Sequence, residues 1–395
     1  MDRLLTHVAY GEDSLNGAVA VSPDGRWRHG ELTGTAAPLP ESPKLLGAAA
    51  RRAGRLAVAA TVVLVGAGAA SACSSQSSAG SAASTPAASA ATSTGAPSTV
   101  VQVGQFGIDD HPASITVQEV PSIRTEVPQS ILSTGKLVIG VGALPSGFPP
   151  LAYVGSNQTT LTGSEPDLGR LIAAVFGLTP DVENASWENL FVRITSGEFN
   201  VGFSNITDTD LRQKQGYDFA TYRKDELAFE VLKSNPWEFN GNYENLAGQT
   251  VAVAAGTNQQ EILRTRQKDL KAQGKTLNIK YFNDVNSTYL ALDSGRITAV
   301  FQPNPSSAYH VIQDANTPDP TRVAGIESGA GPTIQGLISA MTKHGDGLVK
   351  PLADAINYLM KNGDYAKWLN VYGLAAETVP TSQVNPPGLP LSISS

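Results

Sequence analysis

Cysteine is nearly absent from this chain, because only Cys73 occurs among its 395 residues. A single cysteine excludes an internal disulfide. Runs of lysine or arginine are absent from the globular part, and the formal net charge is −7 with a pI of about 5.3. Nucleic-acid binding requires a basic face that displaces counterions, so the charge balance argues against a nucleic-acid partner.

Features of a catalytic or metal site are also scarce. The globular part has three histidines, His111, His310 and His344, without H-E-x-x-H spacing and without a cysteine nucleophile. Glu165 and Asp167 are two positions apart at a helix start, so they do not project along one helical face, and capping explains them better than acid–base catalysis. We therefore predict a binding protein with no catalytic residues, metal or cofactor.

The segment 45–72 is typical of an export signal. Three arginines between positions 51 and 55 precede an uncharged, mostly apolar run at 56–70, and small residues follow. The run is shorter than the ~20 residues that a membrane-spanning helix needs. A buried helix is the alternative, but the run lacks an amphipathic stripe.

Cys73 follows Ala70, Ser71 and Ala72, which resembles the lipobox of bacterial lipoproteins, although that motif usually begins with Leu or Val. The resemblance implies that Cys73 is lipidated and that 73–128 is a Ser/Ala-rich tether and lead-in. Residues 1–44 precede the signal and form either a disordered cytoplasmic extension or a stretch upstream of the true translation start.

From about position 129, short apolar strands alternate with amphipathic helices. The pattern predicts strands at 136–141, 201–203, 250–254, 279–282 and 297–301, and helices at 167–176, 210–215, 259–271, 288–294, 348–361 and 365–371. This alternation predicts an α/β fold with helices on both sheet faces. In such folds, ligands bind beyond the carboxyl ends of strands, near helix N-termini.

The segment SNITDTDLR at 204–212 places polar groups where a strand gives way to a helix. Thr207 offers a hydroxyl and a backbone N–H, and Arg212 offers a planar fork suited to a carboxylate. We interpret these residues as a carboxylate socket. The alternative is that Thr209 or Asp210 caps the helix while Arg212 pairs with a surface acid.

Several motifs occur in a fixed order along 129–374. They are FPPL at 148–151, GSEPDL at 163–168, SWENL at 186–190, T-x-T-x-x-R at 207–212, VAVAAGT at 251–257, G-R-x-x-A-V at 295–300 with a later Tyr309, and GDYAKWL at 363–369. This order resembles the polar amino-acid family of bacterial solute-binding proteins.

The resemblance implies a two-lobed periplasmic-binding-protein-like clamp, with a sheet flanked by helices in each lobe and a hinge of two chain crossings. Lobe 1 would comprise 129–233 and 333–376, lobe 2 would comprise 234–332, and 377–395 would form a Pro-rich extended tail. Closure of the lobes would bury the ligand.

The resemblance also implies roles for individual residues. Phe148 and Trp187 would stack on the ligand, Thr207 and Arg212 would hold an α-carboxylate, and Thr257 would contribute from lobe 2. Ordinary core packing is the alternative for both aromatic residues. The full expected ligand-binding set is Phe148, Trp187, Asn205, Thr207, Arg212, Thr257, Asn258, Gln302 and Asn304.

The chain departs from the family pattern at three positions. Pro303 stands where the family has its ammonium-binding aspartate, and the flanking Gln302 and Asn304 offer neutral amides. The ligand therefore either lacks a free α-ammonium or uses another acceptor. Ser164 and Pro166 replace an aromatic and an aliphatic residue.

These features predict the substrate-binding component of an ABC importer for an amino acid or amino-acid-like small carboxylate. Its partners would be a permease and an ATPase, and it would act as a monomer, lipid-anchored to the outer face of the cytoplasmic membrane. The alternatives are a ligand-sensing receptor lipoprotein and, on the same fold, a dehydratase-type or glycan-cleaving enzyme.

Overall fold

The computed structural model describes residues 20–21, 27–28, 96–107, 112–328 and 334–390. The predicted signal peptide, Cys73 and the tether up to position 95 lie outside these residues. The chain divides into two units, Met1–Ala87 and Ala88–Ser395. Among the described residues, no helix combines the length and apolar character needed to cross a bilayer.

In the first unit, Ala20–Val21 (β1) pairs antiparallel with Trp27–Arg28 (β2). These four residues lie in the N-terminal extension 1–44, whose interpretation stays a prediction. Valine and tryptophan favour the extended backbone of a strand.

The second unit contains fourteen strands and ten α-helices within its described ranges. The strands are β3 (Ser98–Val103), β4 (Ala113–Gln118), β5 (Lys136–Leu144), β6 (Tyr153–Val154), β7 (Leu161–Thr162), β8 (Thr179–Ser186), β9 (Val201–Gly202), β10 (Tyr217–Lys224), β11 (Leu227–Leu232), β12 (Thr250–Val253), β13 (Asn278–Tyr281), β14 (Ala299–Pro303), β15 (Thr321–Glu327) and β16 (Leu337–Lys343). The helices are α1 (Pro121–Arg124), α2 (Gln129–Leu132), α3 (Ser164–Val175), α4 (Trp187–Ser196), α5 (Asp210–Lys214), α6 (Asn258–Ala272), α7 (Val285–Asp293), α8 (Asn304–Asp314), α9 (Val349–Asn362) and α10 (Asp364–Val371). Short 3₁₀ turns occupy Tyr243–Leu246 and Ala375–Glu377.

Two five-stranded sheets organise the two lobes. The lobe 1 sheet has the order β10-β16-β9-β5-β8, and the lobe 2 sheet has the order β13-β12-β14-β11-β15. In lobe 1, β5 runs parallel to β8 and β9, while β16 is antiparallel to β9 and β10. In lobe 2, β12 runs parallel to β13 and β14, while β11 is antiparallel to β14 and β15. The predicted two-lobed α/β fold is confirmed.

Strand β5 is buried because it lies inside the lobe 1 sheet. Leu137, Ile139 and Val141 are fully buried, as expected of a parallel strand with both faces covered. Gly140 allows close packing, since a Cβ there would lie 2.2 Å from the ring of Phe199. The lobe 2 core contains Phe229 and Phe301, whose rings stack with centroids 4.2 Å apart.

The first chain crossing lies earlier than the sequence predicts. Strand β10 ends at Lys224 in lobe 1, and β11 begins at Leu227 in lobe 2, so the chain crosses at Asp225 and Glu226. The expected boundary after residue 233 is therefore wrong, because it assigns β11 to lobe 1. Because only two residues separate β10 from β11, the sequence resembles one long strand. The change from one sheet to the other does not alter its hydrophobic periodicity.

The predicted tether and lead-in extend to residue 128, but the chain from Ser98 onward is part of the folded unit. Strands β3 and β4 form a hairpin. Their alternate residues Val101, Val103, Ile115 and Val117 are buried in the lobe 1 core. This alternation of apolar and polar residues is a strand signal that the Ser/Ala-rich composition upstream obscured.

The Pro-rich tail is extended, as predicted, and its described part packs against lobe 1. Val384 bridges Ala220, and Leu389 bridges Thr209. The backbone N–H of Phe219 donates to Asn385 Oδ1 at 2.7 Å. The tail to residue 390 therefore extends the lobe 1 surface without belonging to the regular sheet.

Candidate functional site

A cleft of about 380 Å³ lies between the two lobes. Its lobe 1 wall comprises residues from 142–148, 186–188 and 204–205, and its lobe 2 wall comprises residues from 253–259, 282–288 and 300–303. These segments include or closely follow the last residues of β5, β8, β9, β12, β13 and β14. The cleft therefore lies at the carboxyl ends of parallel strands, where open α/β sheets bind ligands.

Hydrogen bonds join the two walls of the cleft. Trp187 Nε1 donates to Gly256 O at 2.9 Å, and the backbone N–H of Val285 donates to Ser146 Oγ at 3.2 Å. Trp187 and Ser146 belong to lobe 1, whereas Gly256 and Val285 belong to lobe 2. The structure therefore has the lobes in contact, in a closed arrangement.

Three helices begin at the cleft. Ser186, Thr257 and Asp284 cap α4, α6 and α7, each accepting from a backbone N–H of the first turn. Helix N-termini carry partial positive charge and favour an anionic group. Thr257 Oγ1 also donates to Ala254 O at 2.8 Å, so its hydroxyl is engaged within lobe 2.

The side chains that line the cleft carry negative formal charge. Among the described lining residues, the charged ones are Glu188 and Asp284, and none is a lysine or arginine. Asp284 accepts hydrogen bonds from Ser287, and these lower the pKa of its carboxyl. The lining therefore favours a ligand that carries a cationic group in addition to any carboxylate.

The structure brings most of the expected ligand-binding set together. Six of its members line the cleft: Phe148, Trp187, Asn205, Thr257, Asn258 and Gln302. Thr207, Arg212 and Asn304 do not line it. Asn304 instead directs its amide nitrogen to Glu226 Oε2 at 3.2 Å, beside the first chain crossing.

Thr207 and Arg212 lie behind the cleft wall, in contact with each other. Thr207 is 1% exposed and Arg212 is 6% exposed, and Arg212 Nη1 donates to Thr207 O at 2.7 Å. The guanidinium lies 5.4 Å from the ring centroid of Trp187 and 5.3 Å from that of Phe191. Burial lowers the pKa of Arg212 to about 10, although Asp225 and Asp208 oppose the shift. This guanidinium therefore lies among aromatic rings and buried carboxyls.

For the segment 204–212, the alternative interpretation was a helix cap at Thr209 or Asp210 and an Arg212 paired with a surface acid. The structure has the cap but not the surface ion pair. Thr209 Oγ1 accepts from the backbone N–H of Arg212 at 3.2 Å and so caps α5. Arg212, however, is buried and does not pair with a surface acid. A sequence pattern identifies a capping threonine, but it does not reveal which way a nearby arginine turns.

The amide of Gln302 is engaged within lobe 2. Its Nε2 lies within hydrogen-bonding distance of three oxygens, Glu230 Oε2 at 3.0 Å, Tyr289 Oη at 2.7 Å and Ser307 Oγ at 3.0 Å. Pro303 lines the cleft beside it and supplies no side-chain acceptor. The acidic residue on this wall is Asp284.

Glu165 and Asp167 do not cap α3, which corrects their interpretation from sequence. Helix α3 has no side-chain cap, and both carboxylates are buried. Glu165 Oε2 accepts from the backbone N–H of Asn205 at 2.7 Å, which fixes a cleft residue whose φ is 51°. Arg223 Nη2 donates to Glu165 Oε1 at 3.0 Å. Glu165 and Arg223 thus support the cleft from beneath, a role that no local sequence signal announces.

Asp208 provides a pH-dependent prediction. Burial raises the pKa of Asp208 to about 6, although the hydrogen bond from Gln213 opposes this shift. Asp208 Oδ2 has no hydrogen-bond partner among the described residues. Between pH 4 and 6 the folded protein keeps a proton that the unfolded chain releases. This group therefore lowers the free energy of unfolding as pH rises through that window, by about 3 kcal/mol at about 1.4 kcal/mol per pKa unit.

Asp208→Asn should remove this pH dependence. Urea unfolding at several pH values should show little difference between variant and wild type near pH 4, and a variant that is more stable by pH 7. A constant difference across the range would contradict the buried, proton-retaining carboxyl.

Comparisons with known proteins agree with this geometry. The model of the bacterial extracellular solute-binding proteins, family 3, matches residues 139–375. The chain belongs to this family. The predictions of the family and of an extracellular solute-binding function are therefore confirmed.

Two curated relatives are similar over much of the clamp. The L-cystine-binding protein TcyJ of Escherichia coli (strain K12) is 27% identical over 235 residues, covering 58% of this chain and 79% of that protein. The arginine-binding protein ArgT of Corynebacterium glutamicum is 28% identical over 197 residues, covering 49% of this chain and 62% of that protein.

Solved structures share the fold. An ancestral arginine-binding protein bound to arginine matches with a TM-score of 0.52 and 24% identity, over 60% of this chain and 98% of that one. The ancestral amino acid-binding protein AncCDT-1, a precursor of cyclohexadienyl dehydratase, matches with a TM-score of 0.51 and 21% identity, over 62% of this chain and 97% of that one. At these identities the likeness establishes the fold alone.

Proposed function

We propose that this chain captures an amino acid or amino-acid-like small carboxylate outside the cell and presents it to the permease and ATPase of an ABC importer. The observation that carries the proposal is the interlobe cleft of about 380 Å³, which lies at the carboxyl ends of parallel strands from both sheets. Two similar proteins are named for binding L-cystine and arginine, which are amino acids.

In this proposal, Phe148 and Trp187 contact the body of the ligand. Phe148 is half-buried in the cleft wall, and Trp187 already bonds across the cleft to Gly256. Thr207 and Arg212 hold the ligand carboxylate from behind that wall, with Asn258 contributing from lobe 2. The acids Glu188 and Asp284 favour a cationic group on the ligand, which offsets the lack of an acceptor at Pro303.

We further propose that the chain acts as a monomeric binding protein without catalytic activity. The cleft lining holds Glu188 and Asp284 as its titratable side chains, and no described histidine lines it. A general acid–base pair for a dehydratase would need two groups within reach of one substrate proton. Asp284 is instead engaged as a helix cap, which suits binding better than proton transfer.

Membrane attachment is the remaining part of the proposal. Cys73 follows small residues at the end of an apolar run, and lipidation there would tether the clamp through the Ser/Ala-rich segment to the outer face of the cytoplasmic membrane. Stable anchoring takes more than one acyl chain. Mass spectrometry of the exported protein should show acyl groups on Cys73, and a Cys73→Ser variant should be released from the membrane.

A thermal-shift screen of the purified protein tests the binding function. The compounds are amino acids including L-arginine and L-cystine, their betaine and N-substituted derivatives, and simple carboxylates. Ligand at a hundredfold excess over its dissociation constant should stabilise the native state by about 2.7 kcal/mol and raise Tm accordingly. No shift with any amino-acid-like compound would contradict the proposed ligand class.

A matched pair of variants locates the binding. Phe148→Ala should weaken binding of the compound that shifts Tm, because it removes an aromatic surface from the cleft. Val154→Ala, at a position 44% exposed on β6, should leave the affinity unchanged. Equal effects of the two substitutions would place the ligand outside the cleft.

A further inference from the structure

Asp225 occupies the first chain crossing between the lobes and is almost completely buried. Asp225 is 1% exposed. Its backbone N–H donates to Gly336 O at 2.8 Å, and its backbone carbonyl accepts from Gln335 Nε2 at 3.0 Å. Both partners belong to the second crossing, so the hinge segments hold Asp225 in a fixed position between the lobes.

The carboxylate of Asp225 contacts both lobes. Its Oδ2 accepts from Thr207 Oγ1 of lobe 1 at 2.7 Å and from Asn258 Nδ2 of lobe 2 at 3.3 Å. Burial raises the pKa of Asp225, while the Thr207 hydrogen bond and the charges of Arg223 and Arg212 oppose that shift. Thr207 and Arg212 are the residues that the proposed function assigns to the ligand carboxylate.

We propose that Asp225 is a specificity-determining competitor: its carboxylate accepts the hydrogen bonds of Thr207 and Asn258 near the charge of Arg212, and a ligand carboxylate reaches these donors only by displacing it. The inference rests on the proposed function for its biological meaning. Its physical basis is that two carboxylates do not share one buried cationic subsite without a large penalty from like-charge repulsion.

The competitor has a direct consequence for selectivity. A ligand must supply enough binding energy elsewhere in the cleft to turn the Asp225 carboxylate out of its contacts with Thr207 and Asn258. Compounds with a carboxylate and little else are therefore rejected, whereas larger amino-acid-like molecules with a cationic group next to Glu188 or Asp284 are accepted. Asp225 thus acts as a filter against small anions.

Acetate is the probe that tests the subsite without requiring the natural ligand. Asp225→Asn keeps the size of the side chain and an acceptor oxygen for Thr207 but removes the charge. Acetate should bind this variant about tenfold more tightly than wild type, measured as the dependence of Tm on acetate at constant ionic strength. Acetamide, which has the same shape and no charge, should shift neither protein.

A second variant guards against misfolding of the first. A Cβ at Gly336 would lie 3.0 Å from Asp225 Cβ, so Gly336→Ala should shift the Asp225 side chain by a few tenths of an ångström without changing a residue of the subsite. It should increase acetate binding in the same direction. Adding Arg212→Ala to Asp225→Asn should abolish the gain.

The outcomes separate this inference from the proposed function. Equal acetate responses of wild type and both variants, whether large or absent, would overturn the competitor role of Asp225. Weaker acetate binding by Asp225→Asn would also overturn it. Failure of every amino acid in the thermal-shift screen would contradict the proposed ligand class, whatever acetate does.

Discussion

Arg223→Ala should lower the free energy of unfolding by about 3–5 kcal/mol, the cost of breaking a buried ion pair by removing one partner. Arg223 is 1% exposed and pairs with Glu165 and Glu377, which are 0% and 3% exposed. Burial lowers the pKa of the guanidinium, but the charges of Glu377 and Glu165 outweigh that effect and raise it. The variant would leave two buried carboxylates without their cation.

Urea-induced unfolding measures this loss, and Lys350→Ala is a matched control. Lys350 also pairs with two acids, Glu126 and Asp354, but these are 42% and 39% exposed. Exposed ion pairs contribute about 0–1 kcal/mol, so the control should change stability little. Similar losses in the two variants would contradict a special role for the buried network.

The same network illustrates what the sequence does not reveal. Arg223 lies 58 positions from Glu165 and 154 positions from Glu377. Each acid occurs in a segment that has a simpler local interpretation, a helix start for Glu165 and the beginning of a Pro-rich tail for Glu377. Only the three-dimensional fold brings these charges together, with Tyr222 and Arg223 of β10 bonding to Glu165 and Arg223 also bonding to Glu377 in the 3₁₀ turn.

Local patterns predicted the regular elements better than the boundaries between lobes. Helix α9 was expected at 348–361 and spans Val349–Asn362, because its apolar residues repeat at helical spacing. The crossing at Asp225 was missed because only two residues separate β10 from β11. Periodicity reports which residues face a core, but it does not report which of two cores they face.

The candidate site was predicted in composition more accurately than in geometry. Phe148, Trp187 and Asn205 line the cleft, as the motifs of the family imply. Thr207 and Arg212 lie behind it, and the hydroxyl of Thr207 bonds there to Asp225. Asp225 is outside every motif, so its contact with the predicted carboxylate socket emerged only from the three-dimensional arrangement.

Arg212→Ala should weaken binding of a carboxylate ligand by about 3–5 kcal/mol, because it removes the cation opposite a buried carboxylate. Arg212 is 6% exposed, and its guanidinium lies beside the rings of Trp187 and Phe191. In the variant, water therefore does not solvate the ligand carboxylate in place of the guanidinium. The affinity should fall by two to more than three powers of ten. Isothermal titration with the compound identified by the thermal-shift screen measures the change.

Two further variants separate binding from folding at this position. Arg212→Lys keeps the charge but loses the planar fork, so it should recover part of the affinity and not all of it. Arg264→Ala, at a side chain 59% exposed on α6, should bind as wild type does.

Because Arg212 Nη1 also donates to Thr207 O, Arg212→Ala should lower the free energy of unfolding, and unfolding measured without ligand gives that loss separately. Unchanged affinity in a folded Arg212→Ala variant would remove Arg212 from the carboxylate subsite. Asp225 would then stand as a structural counter-ion of the hinge.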